Sequence, residues 1–181
     1  MLGIAWLWTQ RDHARAIAAE EQARSLNPSA ALSYQFLGCV LEFAGQPAEA
    51  IPHFEAVLRL DPRFQSRSAV LADLALSHLL IGHHEDAIDF ARRAVDESPE
   101  NVRAHQRLVA APGHAGRETE VHVALEELLR RQSDLSRAYL ESTYPFRRWK
   151  DLELFLDGLQ RAGWKEGGTS RAGSRRHDYE I

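Results

Sequence analysis

The amino-acid sequence predicts an all-α fold in which pairs of helices repeat along the chain and stack into a solenoid. Segments 12–28, 46–62 and 83–99 each carry an Ala-Ile pair that starts at their fifth residue, and each ends in a proline. These markers are spaced first by 34 and then by 37 residues. Apolar residues recur at i, i+3, i+4 and i+7, which gives each helix one apolar stripe. Because a single helix pair cannot bury both of its faces, repeated pairs stack.

The composition is that of a folded chain without a concentrated charge. Of 181 residues, 44% are hydrophobic and 27% are charged, and the formal net charge is −4. Acidic and basic residues are interleaved, whereas a nucleic-acid-binding surface needs a concentrated basic face. The one cysteine, Cys39, cannot form an internal disulfide. We therefore expect a cytoplasmic protein that binds neither nucleic acid nor a membrane.

The chain opens on the apolar stretch MLGIAWLW. This stretch is too short to span a bilayer, which needs about 20 apolar residues, and it lacks the leading positive charge and the cleavage site of an export signal. Counted back from Ala16, residues 2–10 form the second half of a first helix. Since the end of a solenoid normally has a polar outer face, we expect either that an upstream portion is absent or that this edge docks onto a partner, such as a second copy in a homodimer. The residues of this N-terminal edge are Leu2, Ile4, Trp6 and Trp8.

The second unit carries the sharpest pattern of the three. Its two helices should approach most closely where Gly38 faces Ala50, because only small side chains fit there. The closing Pro62 follows the second helix, where its fixed φ ends the helix without penalty. Pro52 lies six residues into the same helix and should only bend it. The full spacing is Tyr34-x2-Leu37-Gly38-x2-Leu41, then Ala50-x3-Phe54, then Val57 and Pro62.

The third unit keeps this spacing, and a degenerate fourth unit follows it up to residue 133. The three extra residues of the third unit fall in segment 63–68, between helices, where an insertion is tolerated. In the fourth unit Pro112 lies inside the first helix. Because an interior proline costs about 3 kcal/mol, this helix is predicted to stop near Ala110. The positions that the fourth unit retains are His105, Leu108, Gly116, Val121, Leu125 and Leu128.

Residues 134–164 depart from the repeat. We expect a short helix to about Ser142, a break at 144–146 and a final helix over about 148–161 that Gly163 stops. Aromatic residues here could anchor a partner, but we favour a cap on the open end of the fourth unit, because a solenoid end must be covered. The final helix carries the apolar stripe Leu152, Phe155, Leu156 and Leu159, and the aromatic group comprises Tyr139, Tyr144, Phe146, Trp149, Phe155 and Trp164.

The last residues, 165–181, lack any apolar periodicity. Their sequence, KEGGTSRAGSRRHDYEI, is rich in glycine, serine and charged residues. A segment of this kind cannot bury enough apolar surface to offset its ordering entropy. It is therefore predicted to be a disordered tail.

The spacing of the second unit resembles the signature of the tetratricopeptide repeat (TPR) family, which has a period of about 34 residues. The resemblance covers most of residues 1–133. It implies a right-handed TPR-type α-solenoid of about three and a half helix-pair repeats, the first truncated and the fourth degenerate, with a C-terminal capping helix. It also implies a non-catalytic interaction module that needs no cofactor.

The ending PFRRWKDLELFLDGLQRAGW resembles the tail of TPR regions attached to bacterial class III adenylate/guanylate cyclases and winged-helix regulators. This resemblance implies an alternative, in which the chain is the detached C-terminal regulatory region of a bacterial signalling protein. Neither a cyclase nor a DNA-binding portion is visible in the sequence.

TPR solenoids present the first helix of each pair on a concave face, which commonly grips a peptide or a helix. One variant of the family clamps a C-terminal carboxylate with Lys, Asn, Asn, Lys and Arg, and the matching positions here are Gln35, Cys39, Asp73, Arg103 and Arg107. Only the last two keep the positive charge and Asp73 would repel a carboxylate, so this clamp is not expected. The alternative to a binding face is a solvated charged face without a ligand. By register, the residues expected on the concave face are Gln35, Cys39, Glu42, Ala72, Asp73, Leu76, Leu79, Arg103, Gln106 and Arg107.

The histidines do not predict a metal site. His78, His83 and His84 are the densest group among nine histidines. Adjacent helical residues diverge, however, and no Cys or acidic residue supplies a recognisable ligand spacing. We interpret these histidines as turn or surface residues.

No other group of residues predicts catalysis. Glu126 and Glu127 are adjacent in a helix and diverge, so we expect salt bridges rather than acid/base chemistry. Cys39 falls at a close-packed position, where it acts as a small buried hydrophobe, and no base is predicted beside it. No glycine-rich phosphate loop is present. The sequence therefore predicts no enzyme, no metal and no cofactor.

Overall fold

The computed structural model describes residues 2–166, and residues 118–120 only by their backbone. Within this range the chain contains ten α-helices and no β-strand. The helices are α1 (Leu2–Gln10), α2 (His13–Leu26), α3 (Ala31–Phe43), α4 (Pro47–Leu60), α5 (Arg67–Leu80), α6 (His84–Glu97), α7 (Val102–Ala115), α8 (Glu118–Arg131), α9 (Arg137–Thr143) and α10 (Trp149–Arg161).

The first eight helices form four consecutive pairs that stack in a row. Helices α1 and α2, α3 and α4, α5 and α6, and α7 and α8 pack against each other. Successive pairs meet through α2 and α3, α4 and α5, and α6 and α7, and the first helices of neighbouring pairs also touch. The predicted all-α solenoid of helix pairs is confirmed.

The repeat register holds at the small residues. Ala16, Ala50 and Ala87 are each the fourth residue of the second helix in their pair, and each is fully buried. The nearest neighbour of Gly38 on the second helix is the side chain of Phe54. The three atoms nearest to a β-carbon at Gly38 would all belong to the ring of Phe54, at 2.7 to 2.9 Å. Gly38 is needed because this ring lies directly against its backbone.

Helix α7 runs through Pro112 to Ala115, so the prediction that it stops near Ala110 is wrong. Pro112 lacks the N–H that would bond to the carbonyl of Leu108. Ala110 and Pro112 are buried, and α7 packs extensively on α10. This tertiary packing outweighs the local cost of the proline. The helix ends instead at Gly116, whose φ of 69° gives a left-handed C-cap.

The C-terminal segment, residues 134–164, has the predicted helices in a different place. Helices α9 and α10 are separated by a break at 144–148, and Gly163 follows α10 with a φ of 97°. We expected a cap on the open end of the fourth pair. The segment lies instead along the first helices of the pairs, because α10 packs mainly on α7 and then on α5. The C-terminal segment therefore covers the first helices of the pairs, the face that the sequence analysis expects to be concave.

Two further sequence expectations concern the ends of the chain. Of the predicted tail, residues 167–181 lie outside the described residues. Residues 2–10 form helix α1 as predicted. Across residues 2–166, no helix combines the length and the apolarity needed to cross a membrane.

Candidate functional site

The residues predicted for the concave face lie on α3, α5 and α7. They come from the first helices of three successive pairs, as the register required. All of them are buried except Arg103, which is partly exposed. The buried ones are Gln35, Cys39, Glu42, Ala72, Asp73, Leu76, Leu79, Gln106 and Arg107.

Tyr144 of the C-terminal segment is anchored in a polar network on α7. The Arg107 guanidinium donates to the Tyr144 hydroxyl at 2.7 Å and to Gln106 Oε1 at 2.9 Å. The Tyr144 hydroxyl donates in turn to Gln106 Oε1, and Gln106 Nε2 donates to Gln132 Oε1 at 2.7 Å. The guanidinium also lies over the rings of Tyr144 and Phe155, at 4.8 and 5.2 Å from their centroids. A fully buried Arg107 thus binds an aromatic side chain of the C-terminal segment by charge-assisted hydrogen bonds and cation–π contact.

The residues that follow Tyr144 are bound through their backbone. The His13 side chain donates from Nε2 to the carbonyl of Pro145 at 2.7 Å. The N–H of Arg147 donates to the carbonyl of Phe43 at 2.9 Å, and the Phe43 ring packs edge-on against Phe146 at 5.1 Å. Backbone hydrogen bonds together with aromatic anchors are the means by which grooves bind extended peptides. Residues 144–147 therefore lie in the groove as a bound peptide would.

His13 and Phe43 are groove residues that the sequence analysis missed. His13 is the first residue of α2 and Phe43 is the last residue of α3, so neither belongs to the helical stripe from which the concave face was predicted. Phe43 is fully buried and also contacts Trp8 at 5.6 Å. The only available signal was a large aromatic residue in the last turn of a first helix.

A second cluster of polar residues lies on α3, α5 and α7, and an ion pair within the chain is part of it. Arg103 forms an ion pair with the Asp73 carboxylate. The thiol of Cys39 donates to the same carboxylate at 3.5 Å, and the Ser77 hydroxyl donates to Glu42 Oε1 at 2.8 Å. The positive charge of Arg103, one of the two that match the carboxylate clamp, is thus already neutralised in this structure.

Burial raises the pKa of two groups in this cluster. Burial, and then the charge of Asp73, raise the pKa of the Cys39 thiol well above its ordinary value. The same two causes, in the same order, raise the pKa of Glu42, although Arg107 and the Ser77 hydroxyl oppose them. A thiol with a raised pKa is not a nucleophile at neutral pH. Cys39 is therefore a buried packing and hydrogen-bonding residue.

The N-terminal edge is only partly open. Leu2 is 75% exposed and Trp8 is 41% exposed. Ile4 and Trp6 are half-buried, and the guanidinium of Arg15 covers the Trp6 ring at 4.4 Å. The exposed apolar surface at this edge is therefore formed mainly by Leu2 and Trp8.

Most of the aromatic group in the C-terminal segment serves packing. Trp149 is the exception, since it is 59% exposed with the Arg137 guanidinium over its ring at 5.3 Å. Tyr139 is half-buried. The remaining members, Tyr144, Phe146, Phe155 and Trp164, are buried.

Glu127 forms a surface salt bridge with an arginine of the same helix, as expected, whereas Glu126 lies beside a histidine. Glu126 lies 3.6 Å from His122 and Glu127 lies 2.7 Å from Arg130. Acid/base chemistry by a carboxylate pair would require the two carboxyl groups to face each other across a substrate. These two glutamates do not.

The tetratricopeptide repeat family model matches residues 37–102, which span most of the second and third helix pairs. No curated protein sequence matches the chain. Among solved structures, the protein MamA is similar with a TM-score of 0.65 and 19% identity, over 90% of this chain and 92% of that one. YrrB, described as a TPR protein with an unusual peptide-binding site, is similar with a TM-score of 0.59 and 20% identity, over 87% of this chain and 80% of that one. The chain thus has the fold of a TPR-type α-solenoid.

Proposed function

We propose that the chain is a non-catalytic protein-interaction module whose concave face binds an aromatic, partly helical segment of a partner protein. In the structure, residues 144–147 of the chain itself hold this place. A partner binds by displacing them. The observation that carries the proposal is the binding of Tyr144 and its neighbours by Arg107, His13 and Phe43, through contacts typical of peptide recognition.

The chemistry of the groove defines the partner it prefers. Arg107 offers a buried guanidinium to a hydroxyl or carbonyl oxygen. Phe43 offers an extended chain an aromatic surface and a backbone carbonyl, which in this structure accepts the N–H of Arg147. A partner segment with an aromatic residue followed by an extended backbone would bind both Arg107 and Phe43. Since the resident segment competes at the effective concentration of a tethered ligand, which is about millimolar, we expect weak binding of a partner until the segment is released.

A substitution where α10 packs against α7 provides the test. A β-carbon at Gly158 would overlap the carbonyl of Ala110, so Gly158→Leu should push α10 off α7. Fluorescence anisotropy then measures the binding of a labelled peptide of residues 134–164 to the full chain. We expect the peptide to bind Gly158→Leu clearly more tightly than the wild type. Gln160→Leu, at an exposed position of the same helix, is the control and should behave as the wild type.

The binding result is interpreted only for variants that remain folded. If Gly158→Leu retains the helical circular dichroism of the wild type yet does not bind the peptide, the proposal is wrong. If this variant does not fold, the double variant Tyr144→Ala and Phe146→Ala removes the anchors and leaves the crossing of α10 with α7 intact. This double variant should also bind the peptide more tightly than the wild type does.

The alternative, a regulatory region of a bacterial signalling protein, has no specific support in the matches described above. The family match covers only helix pairs, and the similar structures share the solenoid fold.

A further inference from the structure

We propose that His78, His83 and Asp86 form a binding site for a divalent transition-metal ion of the zinc type, at the turn between α5 and α6. The site lies outside the groove and is independent of the function proposed above. It departs from our sequence expectation, in which these histidines were turn or surface residues without an acidic partner.

The turn itself brings the three residues together. His78 lies in the last turn of α5, and Gly82 reverses the chain with a φ of 82°. The N–H of Gly82 bonds to the carbonyl of Leu79 at 3.0 Å, and the N–H of His83 bonds to the carbonyl of His78 at 2.9 Å. These bonds fold His83 back towards His78. Asp86 follows in the first turn of α6.

The ligand atoms have the separation that an ion between them requires. The Nδ1 atoms of His78 and His83 each lie 3.7 Å from Asp86 Oδ2, and the three residues offer one ligand atom each within 4.8 Å of one another. At 3.7 Å neither histidine forms a hydrogen bond with the carboxylate. Tetrahedral zinc with bonds of about 2.0 to 2.1 Å places its ligand atoms about 3.4 Å apart. Small rotations of the exposed His83 and Asp86 side chains would close this difference.

His78 is held in place with an unused ligand atom. Its side chain is only 12% exposed, and its ring stacks on Phe90 with 5.2 Å between centroids and 20° between planes. Its Nδ1 is buried and has no hydrogen-bond partner. A buried polar atom normally has one. A metal ion bound to Nδ1 would satisfy it.

The donor set selects the class of ion. Two imidazoles and one carboxylate suit Zn²⁺, Ni²⁺ or Cu²⁺ rather than Mg²⁺ or Ca²⁺, which prefer oxygen ligands. Three protein ligands leave one tetrahedral position for water. The sequence signal for the site is the spacing His-x4-His-x2-Asp, which becomes a cluster only because the turn at Gly82 reverses the chain.

Isothermal titration of the full chain, free of any histidine tag, with ZnCl₂ tests the site. We expect one Zn²⁺ per chain, and a loss of affinity of about tenfold or more in His83→Gln and in Asp86→Asn. His122→Ala is the matched control, because His122 and Glu126 form an exposed histidine–carboxylate pair at 3.6 Å without a second imidazole. This variant should bind as the wild type.

A second measurement reports the geometry. Co²⁺ in place of Zn²⁺ should give the visible absorption of a four-coordinate nitrogen and oxygen site, and His83→Gln should abolish it. Zn²⁺ binding that neither His83→Gln nor Asp86→Asn weakens would overturn the proposal. So would the absence of stoichiometric binding to the wild type.

Discussion

Gly113 of α7 and Gly158 of α10 cross backbone against backbone. A β-carbon on Gly113 would overlap the carbonyl of Gly158, and a β-carbon on Gly158 would overlap the carbonyl of Ala110. Beside this crossing, the His114 side chain donates from Nε2 to the carbonyl of Leu154 at 2.8 Å. The C-terminal segment therefore packs on α7 through a contact that leaves no room for a side chain at Gly113 or Gly158.

The crossing predicts that even one methyl group will loosen the segment. Gly158→Ala should lower the free energy of unfolding by about 1–3 kcal/mol through overpacking, although alanine favours a helix more than glycine does. Urea denaturation followed by circular dichroism measures the change. The control is Gln160→Ala at an exposed position of α10. Equal stability of Gly158→Ala and the wild type would show that the crossing is looser than the structure indicates.

The hydroxyl of Tyr144 should contribute to stability through the network on α7. In Tyr144→Phe, the Arg107 guanidinium and Gln106 Oε1 each lose a buried hydrogen-bond partner. We expect the free energy of unfolding to fall by about 1–3 kcal/mol. Thermal or urea unfolding checks this value, with Tyr139→Phe, at a half-buried position of α9, as the comparison. A loss no greater than that of the comparison would contradict the role given to the network.

Glu42 should make the stability depend on pH. Its pKa in the folded protein lies above its ordinary value of 4.5, mainly because of burial and then because of Asp73. The folded state therefore binds this proton more strongly than the unfolded state does. The resulting stabilisation is fully present below the ordinary pKa and is lost as the pH rises through the folded pKa.

Glu42→Gln keeps an oxygen for the Ser77 hydroxyl and carries no charge. We expect this variant to be more stable than the wild type at neutral pH, with the difference shrinking towards pH 4. Urea unfolding at a series of pH values measures it. Glu126→Gln, at an exposed glutamate, should leave the pH dependence nearly unchanged. A constant difference between Glu42→Gln and the wild type over this pH range would contradict the raised pKa.

If the N-terminal edge is a docking surface, which is one of the two interpretations of its sequence, two copies of the chain should associate through it. Leu2 and Trp8 form its exposed apolar surface. Leu2→Glu removes part of that surface and places an acidic residue in the first turn of α1, where the helix dipole favours it. Analytical ultracentrifugation should show a dimer for the wild type and a monomer for this variant. Val123→Glu, at an exposed apolar residue of α8, should leave the dimer intact. A wild type that is monomeric at all concentrations would contradict the prediction.

The solenoid was predictable from the sequence because its determinants are local and repeated. Ala16, Ala50 and Ala87 mark the same place in three helix pairs, and the structure places them equivalently. The end of α7 was not predictable from the same kind of rule. Pro112 is unfavourable within its own helix, and the packing of α7 against α5, α6, α8 and α10 offsets it.

The place of the C-terminal segment also depended on contacts that the sequence does not display. The apolar stripe of α10 indicates that one face is buried but not which surface covers it. The matched glycines, Gly113 and Gly158, were a usable signal, because a glycine within a helix often marks the close approach of another backbone. The pairing of Arg103 with Asp73 spans neighbouring repeats and changes what the concave face offers to a ligand.

The contact of His13 with Pro145 has a consequence for how the protein unfolds. In a simple repeat array each unit touches only its neighbours, so the array can fray from either end in steps. Here the hydrogen bond between His13 and Pro145, which are 132 positions apart, connects the first helix pair to the C-terminal segment. That segment packs on the fourth pair. We expect the loss of either end to loosen the other, which should make melting more cooperative than in an array without this contact. Because such distant parts must meet before this contact forms, we expect refolding to be slower than that of a solenoid of equal length without it.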